Sequence, residues 1–290
     1  LGALSTGIGA TDMASVWTKG TLWFKVPQSI CLKIRGALAD TVSAKDVILS
    51  IIGMLKSDGA NYKSCELYGE TIEKMSIEGR QCICNQSMEM GVKASIVPPD
   101  EKTIVYIKSK TSQLFTSIYS DDDATYEKTY DIDVSNLEPQ IACPDTVDNV
   151  KPVSKVAGVK IDQAVLGSCT NGRLEDLAIA ASLLNGKTIA DHVRFLIIPA
   201  SRQIYQKAIK KGYIQILTRA GGILINPGCG PCLGLHQGVV TDGEVIISST
   251  NRNFKGRMGS SKAKIYLASP ATVTASALHG QITNPCEVLQ

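Results

Sequence analysis

Between residues 161 and 280, short apolar runs alternate with stretches in which apolar residues recur every three or four positions. The runs predict buried strands and the periodic stretches predict helices. We predict strands at residues 163–166, 193–198, 223–225, 244–248 and 264–267, and helices at residues 173–184, 202–211, 213–220 and 270–278. Such a series of strand–helix units is typical of a doubly wound, largely parallel sheet.

The first half of the chain shows a less regular alternation. Ser43 and Asp46 form a capping signal at the start of a predicted helix. Residues 120–125 are acidic, and residues 131–155 contain three prolines among polar residues, so we predict a loop and a linker there. The predicted elements are strands near residues 31–34, 62–67 and 94–97, and helices at residues 12–19, 47–55 and 77–90.

These elements predict an α/β protein with two doubly wound domains whose sheets are largely parallel. The length of 290 residues fits about two domains. We place the domains at residues 31–127 and 128–290. Residues 1–30 look like a remnant of a further, N-terminal domain, as though the chain were cut from something longer.

Composition narrows the classes of function. With 30 basic and 27 acidic residues the net charge is +3, and no basic cluster is interleaved with aromatic residues, so neither nucleic acid nor an anionic membrane is expected as a partner. Apolar stretches are too short for a membrane span, and no signal peptide precedes them. The nine cysteines are odd in number and unevenly spaced, which favours a reducing compartment, the cytoplasm.

Three loops follow predicted strands and carry the candidate chemistry. Because loops after parallel strands meet at one edge of the sheet, we expect Cys169, Cys229 and Cys232 to lie close together. Thiolates suit zinc or an iron–sulfur cluster, with His236 as a candidate fourth zinc ligand, and redox-active or structural cysteines remain a third possibility. The loops are residues 167–172, 226–234 and 249–257.

The third loop adds positive charge. Arg252 and Arg257 lie beside Asn251, and guanidinium groups pair bidentately with carboxylates. Arginines in isolation would more often be solvated loop residues. Together with three thiols they predict a site for a small polycarboxylic acid.

A second candidate group lies on the predicted helix 77–90. Asn85 and Glu89 are four positions apart and so share one face of a helix, with Gln81 one turn earlier. The pattern fits a solvent-exposed stripe, but the apolar neighbours on this helix also allow a position facing a cleft between domains. The remaining six cysteines are predicted to be packing residues: Cys31, Cys65, Cys82, Cys84, Cys143 and Cys286.

The motifs at residues 167–173, 226–234 and 251–257, in this order, resemble the aconitase superfamily, and most closely the large subunits of 3-isopropylmalate dehydratase and homoaconitase. The resemblance runs from residue 1 almost to the end. It implies that Cys169, Cys229 and Cys232 hold a 4Fe–4S cluster through three of its irons. The fourth iron would then be open to substrate and act as a Lewis acid.

By the same resemblance, Arg252 and Arg257 contact the substrate, and Asn85 and Glu89 lie near the cluster. The implied activity is that of a hydro-lyase that isomerises a hydroxy-dicarboxylate or hydroxy-tricarboxylate in amino-acid biosynthesis, such as that of leucine. An aspartate–serine–histidine motif and the family's catalytic base are absent from this sequence; in the dehydratases a separate small subunit carries the swivelling domain with the base. The resemblance therefore implies that the chain is incomplete by itself. The alternative is a non-catalytic fragment that binds zinc or serves in an interaction.

Overall fold

The structure is a computed structural model and describes residues 3–288. The chain divides into two compact units. The first comprises residues 1–37 and 57–134, and the second comprises residues 38–56 and 135–290. Each unit has its own parallel sheet, so the predicted α/β class with largely parallel sheets is confirmed.

The first unit is built on a four-stranded sheet in which every neighbouring pair is parallel, in the order β3-β2-β1-β4. Its strands are β1 (Ser29–Arg35), β2 (Ser64–Tyr68), β3 (Ala94–Ile96) and β4 (Lys128–Asp133). Its helices are α1 (Ala10–Lys19), α3 (Glu70–Lys74), α4 (Ile77–Gln86) and α5 (Glu101–Lys108). Apolar side chains of β1, including Leu32 and Ile34, are fully buried and form part of the core of this unit.

The second unit contains a seven-stranded sheet in the order β6-β5-β11-β10-β7-β8-β9. The five strands from β11 to β9 are mutually parallel, and β5 and β6 extend the sheet in antiparallel pairing. The strands are β5 (Gln140–Ala142), β6 (Val150–Pro152), β7 (Gln163–Gly167), β8 (Arg194–Ile198), β9 (Ile223–Leu224), β10 (Val245–Ser248) and β11 (Lys264–Ala268).

Three helices of the second unit begin at a capping serine. Ser43, Ser201 and Ser269 each accept a hydrogen bond from a backbone amide in the first turn of the helix that follows. The capping box of Ser43 and Asp46 is present as predicted. The helices are α2 (Ala44–Leu55), α6 (Ser168–Asn171), α7 (Leu174–Leu184), α8 (Arg202–Lys210), α9 (Tyr213–Arg219) and α10 (Pro270–His279).

The prediction of a linker at residues 131–155 is wrong. Strand β4 ends in this segment, and β5 and β6 lie wholly within it. Residue 128 is also not a boundary, because β4 pairs with β1 of the first unit. Prolines favoured a linker because proline usually interrupts a strand. Pro152, however, is the last residue of the edge strand β6, where a missing amide hydrogen is tolerated.

Helix α2 is the other departure from the predicted domains. The sequence places residues 38–56 in the middle of the first domain, but these residues cluster with the second unit. Contacts with β5 and β6 account for this, and Gln140 donates its backbone amide hydrogen to the buried carboxylate of Asp46 at 2.8 Å.

The predicted helix 77–90 consists of two helices of different kinds. The α-helix α4 ends at Gln86, and residues Ser87–Met90 form a 3-10 helix that ends at Gly91 in the left-handed conformation. The Ser87 hydroxyl donates to the carbonyl of Cys84 at 2.9 Å and contacts the Ser95 hydroxyl at 2.6 Å, which favours the tighter turn. Asn85 and Glu89 are therefore not related by four residues of a continuous α-helix.

None of the helices in residues 3–288 has the length and apolar character needed to cross a bilayer. Of the six cysteines predicted to be packing residues, Cys31, Cys65, Cys82 and Cys143 are buried and Cys84 is partly buried. Cys286 is exposed, and its thiol donates to the Thr41 hydroxyl at 3.2 Å, so the prediction is wrong for this residue.

Candidate functional site: three loops at the carboxyl edge of the second sheet

The three loops of the second unit leave strands that run in the same direction. Residues 167–172 follow β7, residues 226–234 follow β9, and residues 249–257 follow β10. Since β10, β7, β8 and β9 are consecutive parallel strands, the three loops emerge at one edge of the sheet. We refer to them as loop 1, loop 2 and loop 3.

Loop 1 begins with a tight backbone turn. Gly167 has φ 122°, and a Cβ atom there would lie 2.0 Å from the carbonyl oxygen of Ile198. Ser168 follows with φ 74°, an uncommon value for a residue with a side chain. The turn places Cys169 in the short helix α6, exposed to solvent. Strain of this kind is often found at functional sites, where the surrounding structure holds it in place.

Loop 2 carries two cysteines on a 3-10 turn that spans Gly230–Leu233. Cys229 is exposed and Cys232 is buried. Gly230 has φ 55° and packs so closely on Ile198 that an added Cβ atom would lie 2.3 Å from the Ile198 side chain. Glycine is therefore required between the two cysteines for both its conformation and its size.

The loops contact one another directly. The backbone amide of Gly167 in loop 1 donates to the Ser249 hydroxyl in loop 3 at 2.8 Å. A Cβ atom on Gly234 in loop 2 would lie 3.2 Å from the carbonyl oxygen of Arg257 in loop 3. Neither pair lies close in sequence, so the contacts show that the fold brings the loops together.

The electrostatics of Cys229 show that the predicted thiols are neighbours. Burial of part of the Cys229 side chain and the nearby thiols of Cys169 and Cys232 raise the pKa of Cys229, whereas Arg257 lowers it. Three thiols and one guanidinium group therefore share one electrostatic environment. Within residues 3–288, however, no group of three or more histidine, cysteine, aspartate and glutamate side chains is arranged closely enough to hold a metal ion.

Polar atoms that lack a hydrogen-bond partner are concentrated in loops 1 and 3. Each buried side-chain nitrogen or oxygen without such a partner in the described part of the chain belongs to one of these loops or to Arg173 next to loop 1. They include Ser168 Oγ, Arg173 Nε, Asn253 Oδ1 and Arg257 Nε. A buried polar atom without a partner is costly, and such atoms require an explanation such as a bound group.

Two of these residues, Asn253 and Arg173, are held in place by hydrogen bonds of their other side-chain atoms. Asn253 is 1% exposed and donates through Nδ2 to the carbonyl oxygens of Cys143 and Thr146 at 2.8 and 3.2 Å. Arg173 donates through a terminal nitrogen to the carbonyl oxygen of Cys169 at 3.2 Å. The unpartnered atoms thus sit on side chains whose position is already set by the protein.

A cavity of about 500 Å³ adjoins loop 2 at the ends of β8 and β9. Arg202 and Tyr205 of α8 contribute a cation and a phenol to its wall. The volume is in the range of small-molecule sites. Its lining residues are Ala200, Ser201, Arg202, Tyr205, Asn226, Pro227 and Gly228.

The other predicted residues have the following positions. Asn251, Arg252 and Arg257 are in loop 3, each partly buried. Asn85 and Glu89 belong to the first unit, where Asn85 is exposed and Glu89 is partly buried. His236, the candidate zinc ligand, is exposed beyond the 3-10 turn of loop 2.

Sequence reasoning missed two features of this edge. The first is Ser168, whose backbone conformation has no signal in the sequence apart from the preceding glycine. The second is Lys45 on α2, whose ammonium group reaches the start of loop 3. Its sequence signal was the capping box of α2, which located the helix but gave no sign that the lysine is buried.

The donor chemistry of the three loops fits an iron–sulfur cluster held by three cysteines. The three thiols are soft donors, they interact with one another, and the neighbouring loops hold unpartnered polar atoms. Two of the thiols, those of Cys169 and Cys229, are exposed, so this edge is accessible from solvent.

Comparison with known proteins gives consistent matches over the whole chain. The model of the aconitase family (aconitate hydratase) matches residues 1–160 and 152–280. The probable methanogen homoaconitase large subunit of Methanosarcina mazei is 53% identical over 287 residues, which cover 99% of this chain and 73% of that protein.

Dehydratases match almost as well. The 3-isopropylmalate dehydratase large subunit 1 of Methanopyrus kandleri is 49% identical, and the probable 3-isopropylmalate dehydratase large subunit of Methanothermobacter thermautotrophicus is 51% identical. Each match covers 98% of this chain and 68% of the relative. A solved structure, aconitase X of Thermococcus kodakaraensis, is 14% identical with a TM-score of 0.45, and the match covers 82% of this chain and 53% of that one.

Proposed function

The chain belongs to the aconitase family, and from this premise we propose that it is the cluster-carrying large subunit of a hydro-lyase. The substrate would be a hydroxy-dicarboxylate or hydroxy-tricarboxylate of the 3-isopropylmalate or homocitrate type, isomerised by removal and re-addition of water. The relatives support this proposal through their names, which are those of 3-isopropylmalate dehydratase and homoaconitase large subunits. Amino-acid biosynthesis is the corresponding process.

The observation that carries the proposal is the convergence of the three loops. Cys169, Cys229 and Cys232 would hold a 4Fe–4S cluster through three irons, since their thiols share one environment at the carboxyl edge of the sheet. When bound, such a cluster supplies one iron without a cysteine ligand, a Lewis acid that assists departure of hydroxide from carbon.

The protein's own part is to bind and orient the acid. Arg252 and Arg257 would pair with substrate carboxylates, and Asn251 would donate or accept a hydrogen bond beside them. The unpartnered Nε of Arg257 supports this role, because a carboxylate oxygen would satisfy it. Asn85 and Glu89 of the first unit would position the hydroxyl group that leaves the substrate, a role that depends on the family resemblance.

We also propose a partner subunit and a reducing cellular compartment. The words "large subunit" in the relatives' names support a small-subunit partner, which would supply the catalytic base and contribute to the choice of substrate. The nine cysteines are free thiols in the structure, and this supports a reducing compartment such as the cytoplasm.

Metal analysis of the anaerobically reconstituted chain tests the cluster. We expect about four irons and four sulfides per chain and a brown colour, both lost in Cys229→Ser. Cys286→Ser is the matched control, because Cys286 is also exposed but lies outside the three loops, where its thiol donates a hydrogen bond to Thr41. A colourless sample that binds one zinc per chain would contradict the proposal and support a zinc-binding or interaction role.

Activity tests the substrate. The large subunit with the family's aspartate–serine–histidine motif present is reconstituted and mixed with a cognate small subunit, and the hydration of isopropylmaleate and of homoaconitate is followed by loss of the alkene absorbance. Turnover of either acid that is lost in Cys229→Ser supports the hydro-lyase proposal. A brown, cluster-loaded complex that turns over neither acid would refute the proposed substrate class while leaving the cluster assignment intact.

A further inference from the structure

Lys45 is a lysine whose side chain is entirely removed from solvent. It is the second residue of α2 and is 0% exposed. Burial of an ammonium group costs several kcal/mol unless hydrogen bonds compensate for the lost hydration. A buried lysine so near the start of a helix therefore requires strong acceptors.

The acceptors are backbone carbonyl groups at the start of loop 3. Lys45 Nζ donates to the carbonyl oxygen of Thr250 at 2.8 Å and to that of Ser249 at 3.3 Å. These residues are more than 200 positions away in sequence and directly follow β10. The next residues in the chain are Asn251 and Arg252, so the ammonium group fixes the backbone immediately before the proposed substrate-binding side chains.

The same two loop residues make other fixed contacts. The Ser249 hydroxyl accepts the backbone amide hydrogen of Gly167 in loop 1, and the Thr250 hydroxyl lies 2.9 Å from the Ser248 hydroxyl. Ser248, Ser249 and Thr250 are all 0% exposed. Loop 3 therefore leaves the sheet from a fully buried base, and Lys45 contributes the charged donor at that base.

Asp46, next to Lys45, serves a different part of the unit. Its carboxylate accepts hydrogen bonds from the backbone amides of Ser43 and Gln140, both at 2.8 Å. Neither partner belongs to loops 1 to 3. Lys45 and Asp46 are thus adjacent and both fully buried, but Lys45 donates to loop 3 whereas Asp46 accepts from Ser43 and Gln140.

We propose that Lys45 is a positioning residue for substrate binding: its ammonium group holds the Ser249 and Thr250 carbonyls so that Arg252 and Arg257 are presented at a fixed place. The proposal rests on the proposed function of the two arginines. In this role Lys45 acts through the loop backbone, by its hydrogen bonds to the two carbonyl oxygens. Pre-ordering the loop lowers the entropy cost that substrate binding would otherwise bear.

The test uses the cluster-loaded complex with its small subunit and the variants Lys45→Met, Lys45→Arg and Asp46→Asn. For Lys45→Met we expect KM for the hydroxy acid to rise about tenfold while kcat changes less than about threefold, because an interaction that orders the binding site is lost. Lys45→Arg keeps the charge and the donors, and it should recover most of the lost affinity. Asp46→Asn should leave KM within about twofold of wild type, although it disturbs the same helix turn.

Amide hydrogen exchange of the same proteins gives a readout that does not depend on turnover. In Lys45→Met, exchange in residues 249–257 should be at least about tenfold faster than in wild type, with residues 47–55 of α2 unchanged. The iron and sulfide content should stay at the wild-type level. If Lys45→Met does not fold, Lys45→Gln, which retains a donor without the charge, is measured in its place.

Several outcomes would overturn the proposal. Unchanged exchange in residues 249–257 would show that the ammonium group does not order loop 3. Equal increases of KM in Lys45→Met and Asp46→Asn would show a general loss of structure rather than positioning. If the wild-type complex turns over no hydroxy acid, the proposed function fails, and the exchange measurement still decides the role of Lys45.

Discussion

An arginine lies near the carboxyl edge of each sheet, fully buried in the first unit and partly buried in the second, and the two differ in their hydrogen bonds. In the first unit, Arg80 is 1% exposed and its guanidinium group donates to Asp100, Thr103 and the carbonyl oxygens of Ile72 and Glu73. In the second unit, Nε of Arg257 has no hydrogen-bond partner, like Ser168 Oγ and Asn253 Oδ1 of loops 1 and 3. A saturated network stabilises a fold, whereas an unsaturated one at a fixed place is available to a ligand.

Each unit also has a cavity at the carboxyl edge of its sheet. Arg80 lines a cavity of about 220 Å³ at the ends of β2 and β3, but the protein itself already uses its donors. The larger cavity of the second unit adjoins loop 2. The comparison supports a structural role for the first edge and agrees with the ligand binding proposed for the second, and substitutions can test both.

The largest expected effect is on the stability of the first unit. Arg80→Met should lower the free energy of unfolding by about 3 kcal/mol, because it leaves several buried acceptors without a donor. Arg35→Met is the control, since Arg35 forms an exposed ion pair with Asp133 at 2.9 Å and should cost less than about 1 kcal/mol. Urea titration followed by circular dichroism measures both, and equal losses would contradict the structural role of Arg80.

Arg257→Gln should affect substrate binding rather than stability, the opposite of Arg80→Met. Stability should change by less than about 0.5 kcal/mol, whereas KM of the complex for the hydroxy acid should rise about thirtyfold, or about 2 kcal/mol, through loss of a charged bond to a carboxylate. Lys255→Gln is the matched control in the same loop, because Lys255 is exposed and lies 3.9 Å from Asp145. A large loss of stability with an unchanged KM would reverse the assignment of the two edges.

The two units should also differ in how stability depends on pH. Burial raises the pKa of Asp176 in the second unit to about 7, above its unfolded value of 3.8. The folded state therefore binds the proton more tightly, and this contribution to stability is present at low pH and is lost as pH rises through about 7. The slope is at most about 1.4 kcal/mol per pH unit for one proton.

Asp176→Asn removes this titration. The unfolding free energy of the variant, measured by urea titration between pH 4 and pH 8, should decrease less steeply with rising pH than that of wild type. The first unit should respond in the opposite direction, because Arg80 holds the pKa of Asp100 well below its usual range and that contribution is lost on acidification. Identical pH profiles of wild type and Asp176→Asn would refute the role of Asp176.

The sequence predicted the common edge of the three loops better than it predicted the contacts around them. Cys169, Cys229 and Cys232 could be assigned to one edge because parallel strands fix the direction of the loops that follow them. The capping signal of Ser43 and Asp46 located helix α2 for a similar reason, since a cap is a local feature. Lys45 could not be found in this way, because its burial depends on carbonyl groups more than 200 residues away.

The errors at residues 87–90 and 131–155 have physical causes of the same kind. The change from α-helix to 3-10 helix depends on a hydrogen bond from Ser87 to Cys84 and a contact with Ser95 of the next strand. Strands β5 and β6 contain only three residues each, too few to show a periodic pattern. Both features follow from tertiary contacts that override local propensity.

The smallest expected effect concerns Glu66 of the first unit, whose carboxylate accepts several hydrogen bonds from neighbouring hydroxyl groups. Burial raises the pKa of Glu66, but hydrogen bonds from Ser120, Tyr68 and Tyr126 to its carboxylate outweigh burial and lower the pKa overall. Tyr126→Phe removes one of these bonds, of 2.7 Å, and should cost about 1 kcal/mol at pH 7.

The sign of the pH effect follows from the lowered pKa. Glu66 stabilises the folded state above its unfolded pKa, and this contribution is lost as pH falls, so the cost of Tyr126→Phe should shrink at pH 3. Thermal unfolding at pH 7 and pH 3 measures the difference, with Tyr119→Phe, an exposed tyrosine in the same segment, as the control. A cost that stays the same at both pH values would show that the tyrosine acts by packing and that the charge of Glu66 contributes nothing to this cluster.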